Sequence, residues 1–119
     1  MAYDEFLADR IKRVFKDKSV AFEAKKMMGG LCFMVDGKMC CGIHIDKKYG
    51  ESLLMARIGE EAYKTVIKNE ACLPMDFTGR PMKGYVFVTP QGFDLDDDLA
   101  YWIKLCLDYN PIAKSSKKN

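Results

Sequence analysis

The chain has 119 residues, 49% of them hydrophobic and 30% charged, the balance of one globular domain and not of a disordered segment. Nineteen Lys and Arg face seventeen Asp and Glu; without Lys114, Lys117 and Lys118, residues 1–110 carry a net charge of −1, which excludes a broadly basic surface gripping phosphates by bulk charge. No apolar run approaches the ~20 residues of a membrane span, and residues 1–5 open no secretory signal, so a cytoplasmic protein with no membrane partner is expected.

The first helix is predicted from Asp4 to Phe15, where Phe6, Leu7, Ile11, Val14 and Phe15 recur at helical spacing. Val20, Phe22 and Ala24 alternate with Glu23 and Lys25 as a half-buried strand, interrupted at Met28-Gly29-Gly30. Two apolar runs, 31–35 and 38–45, flank Asp36-Gly37, a type I′ hairpin signature because both turn residues need positive φ. A two-residue loop sets Val35 opposite Lys38 and Cys32 opposite Cys41. One face then carries Cys32, Met34, Met39, Cys41, Ile43 and Ile45, the other Leu31, Phe33, Val35, Cys40 and His44.

Asp46 to Glu51 reads as a polar turn and Ser52 to Ile58 as a strand. A short helix opens at Gly59-Glu60-Glu61, with Ala62, Tyr63, Val66 and Ile67 inward. Leu73 to Phe77 is a short extended segment, residues 78–84 form a loop, and Tyr85 to Val88 is a strand stopped by Pro90. The last helix is predicted to begin with Asp94 as N-cap and Asp96, Asp97 and Asp98 in its first turn. Leu95, Leu99, Trp102, Ile103 and Cys106 line one face of it, and Asn110-Pro111 ends it. The result is one α+β domain over residues 1–110, a mostly antiparallel sheet packed by N- and C-terminal helices, followed by a disordered lysine-containing tail, 111–119.

Chemistry-bearing residues are few. Cys32, Cys40, Cys41, Cys72 and Cys106 lack C-x-x-C spacing and are expected as reduced thiols. In the predicted register Cys32 and Cys41 lie across the hairpin with Cα atoms about 4.5 Å apart, either a reversible disulfide pair or two buried small residues. His44 is the only histidine; Cys40 shares its face but sits about 13 Å away, leaving Cys72 or Cys106 as the open partners for a dyad, against a packing or surface histidine. Four ligands do not converge on a zinc site, and no metal or cofactor is expected. Arg80 and Lys83, in a loop bounded by Gly and Pro, are either an anion or partner contact or solvated turn cations. The methionines 27, 28, 34, 39, 55, 75 and 82 are either adaptable contact surface or core filler. Tyr101, Leu105 and Tyr109 widen the apolar surface of the last helix, which a homodimer would cover. Trp102 and Tyr109 are the candidate interface residues, with a packed monomer core as the other explanation.

Two long stretches carry a family resemblance, Met27-Met28-Gly29-Gly30-Leu31-Cys32-Phe33-Met34-Val35-Asp36-Gly37-Lys38-Met39 and Asp76-Phe77-Thr78-Gly79-Arg80-Pro81-Met82-Lys83-Gly84-Tyr85. Together with the opening Met1-Ala2-Tyr3-Asp4-Glu5 and the late Leu99-Ala100-Tyr101-Trp102, they resemble the N-terminal domain of the TfoX/Sxy family over residues 1 to about 109. The resemblance implies a secretion-chaperone-like two-layer fold and a bacterial, non-catalytic regulatory module linked to competence and transcription. Its partners would then be proteins, among them the transcription machinery, and no catalytic residue is carried over. The chain is expected as a stand-alone N-terminal module lacking the family's C-terminal domain. Direct nucleic-acid binding through Arg80, Lys83 and the tail, and a thiol redox sensor at Cys32 and Cys41, are the alternative readings.

Overall fold

The computed structural model describes residues 3–27, 29–46, 50–66, 68, 72–74 and 84–113. Helix α1 (Glu5–Asp17) starts where an acceptor meets its free donors: the Asp4 carboxylate accepts the backbone N–H of Phe6 at 2.9 Å and of Leu7 at 3.4 Å. Its apolar stripe, Leu7, Ala8, Ile11 and Phe15, is buried. Six antiparallel strands follow around it: β1 (Glu23–Met27), β2 (Gly30–Val35), β3 (Lys38–Asp46), β4 (Glu51–Arg57), β5 (Cys72–Pro74) and β6 (Tyr85–Val88), in the order β1-β2-β3-β4-β6-β5. Glu23, Ala24, Lys25 and Lys26 of the edge strand β1 are exposed. Helices α2 (Gly59–Val66), α3 (Pro90–Phe93) and α4 (Asp96–Tyr109) complete the chain with a 3-10 helix, Asn110–Ile112.

Helices from both ends of the chain pack on one sheet face and share a single core with it, the α+β arrangement expected from the sequence. That core joins Leu7, Ile11 and Phe15 of α1 to Leu99, Trp102 and Ile103 of α4 through inward strand residues such as Phe33, Leu54 and Val86. A smaller cluster, Leu53, Met55 and Phe87 with Met39 and Tyr85 beside it, lies on the opposite face. Alternation along β4 and β6 accounts for the split, since Leu54, Ala56, Val86 and Val88 point one way and Leu53, Met55 and Phe87 the other.

The β2–β3 hairpin turns through Asp36 (φ 55°) and Gly37 (φ 74°), the pair of positive φ angles that Asp-Gly supplies at low steric cost. Val35 faces Lys38 and Met34 faces Met39, as the turn dictates, but Phe33 then faces Cys41 and Cys32 faces Gly42. Cys40 is the extra residue of a β-bulge, and beyond it the predicted register is corrected by one. A one-residue shift exchanges the faces of a strand. Cys41 and Ile43 therefore join Leu31, Phe33 and Val35 in the main core, together with Cys40. His44, predicted on that side, instead packs on Phe87 across the sheet.

The last third departs from expectation at three points. Asp94 does not cap the final helix: Pro90 first starts the short α3, and the residue preceding α4 is Leu95, without a side-chain cap. The Arg10 guanidinium holds this junction, donating to the Phe93 carbonyl at 2.9 Å and the Asp94 carbonyl at 3.0 Å and pairing with Asp96 at 3.1 Å. Leu95, predicted inward, is consequently 64% exposed. The chain also stays folded past residue 110: Asn110–Ile112 winds on, Ala113 is buried, and the Lys38 ammonium donates to the carbonyls of Asn110 at 3.1 Å and Pro111 at 3.4 Å. Residues 114–119 of the predicted tail lie outside the described residues.

Candidate functional site

The residues anticipated from sequence do not assemble. Cys32 and Cys41 leave the hairpin on opposite faces, because the bulge sets Cys32 against Gly42 and Cys41 against Phe33. The predicted cross-strand thiol pair is thereby overturned. The Cys32 thiol lies 3.8 Å from the Met34 sulfur on the far face, while Cys41 is in the main core. His44 sits edge-on to Phe87 at 5.2 Å on that far face, and the sheet separates it from Cys72 and Cys106, both in the main core, so neither dyad forms. Among the described residues no group of three His, Cys, Asp or Glu is arranged to hold a metal ion. Trp102 is 2% exposed and its indole N–H donates to the Gly92 carbonyl at 2.8 Å. It fastens α4 to α3 inside the protomer and offers no surface to a second copy, which corrects its assignment to an interface. Arg80, Lys83 and the lysines of the tail lie outside the described residues.

What the fold brings together instead is the end of β4, the start of α2 and the end of α4. The N–H groups of Ile58 and Gly59 both donate to the Gly84 carbonyl, at 2.8 and 3.1 Å, and lock the β4–α2 junction onto the entry to β6. Gly59 has φ +87°, and a Cβ there would stand 2.5 Å from the Tyr109 ring, so that aromatic lies directly on the glycine backbone. On the neighbouring side the Arg57 guanidinium approaches the centroids of Tyr85 at 5.5 Å and Tyr109 at 5.8 Å. Tyr109, proposed from sequence as an interface residue, is thus half-buried and engaged within its own protomer, with part of its ring in a surface groove.

Beneath this junction three thiols meet. The bulge turns Cys40 and Cys41 toward the helices, where Cys106 of α4 meets Cys40 in the shared core. Hydrogen bonds from Cys106 and Cys41 hold the Cys40 thiol below its ordinary range, with burial opposing and the Arg57 charge assisting. Donation to Cys40 and burial push the Cys41 and Cys106 thiols up. Burial alone pushes Cys72 up to about 11, and burial aided by Cys40 pushes Cys32 up to about 11 against the pull of Lys25. All five thiols are free and buried, so burial limits the access of a reagent to each of them, Cys40 included, although its hydrogen bonds favour the thiolate there.

Two outcomes follow for these thiols. Ellman's reagent at pH 8 is expected to modify the native chain slowly and the urea-unfolded chain at once; rapid reaction of a native thiol would contradict the packing. For Cys32 and Cys72 the folded state keeps its proton while an unfolded thiol near 9 has lost it. Both groups therefore leave stability untouched below pH 9 and remove it as pH rises from 9 toward 11. Urea midpoints measured across that window are expected to fall less steeply in the Cys32→Ala/Cys72→Ala variant than in the parent.

The groove above the junction runs between the first turn of α2 and the last turns of α4 and ends at the 3-10 helix. Leu105, Tyr109, Ile112 and Ala62 form its floor and lip, and Glu60, Glu61 and Asp108 stand along its rims. Sequence reasoning missed it because it is assembled from segments some fifty residues apart; the one local signal was Gly59 directly ahead of a predicted helix. The sequence profile of the TfoX N-terminal domain matches residues 17–109, from the last residue of α1 to the last residue of α4. No curated protein matches the chain. Spanning both hairpin and groove, that match shows that the chain belongs to the TfoX N-terminal domain family.

Proposed function

We propose that this chain is a non-catalytic regulatory module of the TfoX type that acts through contacts with other proteins in a transcription-linked setting. The observation that carries this reading is the family match over residues 17–109, which covers the sheet, the junction at Gly59 and all of α4. Two features of the surface support protein partners over phosphate: residues 1–110 have a net charge of −1, and the groove beside Tyr109 is rimmed by carboxylates, which repel a nucleic-acid backbone. Apolar side chains left outside the core, among them Ile112 and Tyr101, add contact area of the kind protein interfaces use.

The test is in-cell crosslinking of the full chain, followed by identification of the proteins joined to it. Components of the transcription machinery are expected among them. A survey that recovers none, while a salt titration shows tight binding to duplex DNA, would replace this reading with direct nucleic-acid recognition.

A further inference from the structure

We infer that the groove between α2 and α4 receives a basic amphipathic segment of a partner protein, its aliphatic side chains on the floor and its Lys or Arg side chains on the rims. This deepens the reading of the chain as a protein-contact module and rests on it. The floor is apolar, with Leu105, Tyr109 and the 75% exposed Ile112 presented along one line from α4 into the 3-10 helix. The lining residues include three carboxylates, Glu60, Glu61 and Asp108, and no cation.

Helix stability accounts for only part of that charge. Glu60 and Glu61 occupy the first turn of α2, where a negative side chain complements the macrodipole. Asp108 has the opposite relation to its own helix. It stands in the last turn of α4, which holds no basic residue, at the end where the macrodipole is already negative. Its ion pair with Lys104, at 2.9 Å, has the cation on the N-terminal side, the less favourable order for an i,i+4 pair, and both side chains are more than half exposed. Among the described residues no salt bridge engages Glu60 or Glu61. The groove thus gathers negative potential over an apolar floor, and the complement to that is a cationic segment with aliphatic anchors. Nucleic acid is disfavoured by the same carboxylates.

The experiment uses the full chain and a fluorescein-labelled synthetic peptide, helical by composition, with leucines on one face and lysines flanking them. A second peptide with every lysine replaced by glutamate serves as its counterpart. Saturable binding of the lysine peptide is expected, with Leu105, Tyr109 and Ile112 showing the largest NMR shift changes. In the Glu60→Lys/Glu61→Lys/Asp108→Lys variant, with Glu60→Gln/Glu61→Gln/Asp108→Asn as the control that removes the charge without setting cations on the α2 dipole, the dissociation constant is expected to rise about ten-fold or more. Equal binding of the glutamate peptide, unchanged affinity in the charge-reversed variant, or shift changes on another face would each overturn the groove assignment. A cellular partner whose crosslinks map away from Tyr109 and Ile112 would also overturn it while leaving the regulatory reading intact, so the two failures are distinguishable.

Discussion

Replacing Gly59 with alanine is expected to destabilise the fold by about 3 kcal/mol and to open the groove at its floor. Left-handed backbone costs a non-glycine residue about 1–2 kcal/mol, and driving a methyl into packed neighbours adds about 1–3 kcal/mol. Both apply at Gly59, whose φ is +87° and whose missing Cβ would meet the Tyr109 ring at 2.5 Å. The ring can yield only toward the groove, which gives up its contact with the glycine backbone and with the Arg57 guanidinium 5.8 Å from its centroid. Urea unfolding of Gly59→Ala, Tyr109→Ala and the double variant separates the two causes. The collision disappears when the ring does, so the double variant should be more stable than the sum of the single losses implies. Strict additivity would show that the ring and the glycine do not meet in solution.

Phe15→Ala is expected to cost about 3–5 kcal/mol, the range for emptying a fully buried aromatic site. Phe15 stacks on Phe22 at 5.0 Å and contacts Phe33 at 5.9 Å, and these three rings join α1 to the approach to β1 and to the middle of β2. Against a total stability of about 5–15 kcal/mol, that loss would leave a marginal domain. The result bears on how much of the chain is needed, since the family profile begins at residue 17, two residues after this ring. Phe6, 73% exposed on the same helix, is the matched control, and its alanine variant should fall within about 0.5 kcal/mol of the parent. Similar losses at both positions would mean that α1 is not seated by its inward stripe.

The helical spacing grouped Phe6 with Phe15, and the structure separates them, Phe6 being 73% exposed; α1 itself, the Asp36-Gly37 turn and the strand ahead of Pro90 were legible. Each is decided by neighbours a few positions away. The bulge at Cys40 is not decided locally: nothing in Lys38-Met39-Cys40-Cys41 says that one residue will be left over, and the faces of Cys41, Ile43 and His44 inverted with it. Thr89-Pro90 was legible as the end of a strand, but the short helix that Pro90 opens ends on carbonyls bound by Arg10, which lies more than eighty residues from them in the chain. Trp102 shows the same limit from the other side. Helical periodicity placed it correctly on an apolar face, yet only the position of α3, with the Gly92 carbonyl at hydrogen-bond distance, decides that this face is interior.

The edge strand has a bearing on behaviour at high concentration. A sheet of six antiparallel strands with a free margin is a template onto which another copy can add, and fibrous growth begins at such margins. Here the margin holds Glu23, Lys25 and Lys26, all exposed, and Lys25 already leans toward Glu23 at 3.5 Å. A second β1 laid antiparallel about its midpoint would stack Lys25 upon Lys25 and force two ammonium groups to shed water together. The β1 margin is thereby guarded against pairing with a second copy of itself, and crowding is expected to leave this edge of the sheet unassociated.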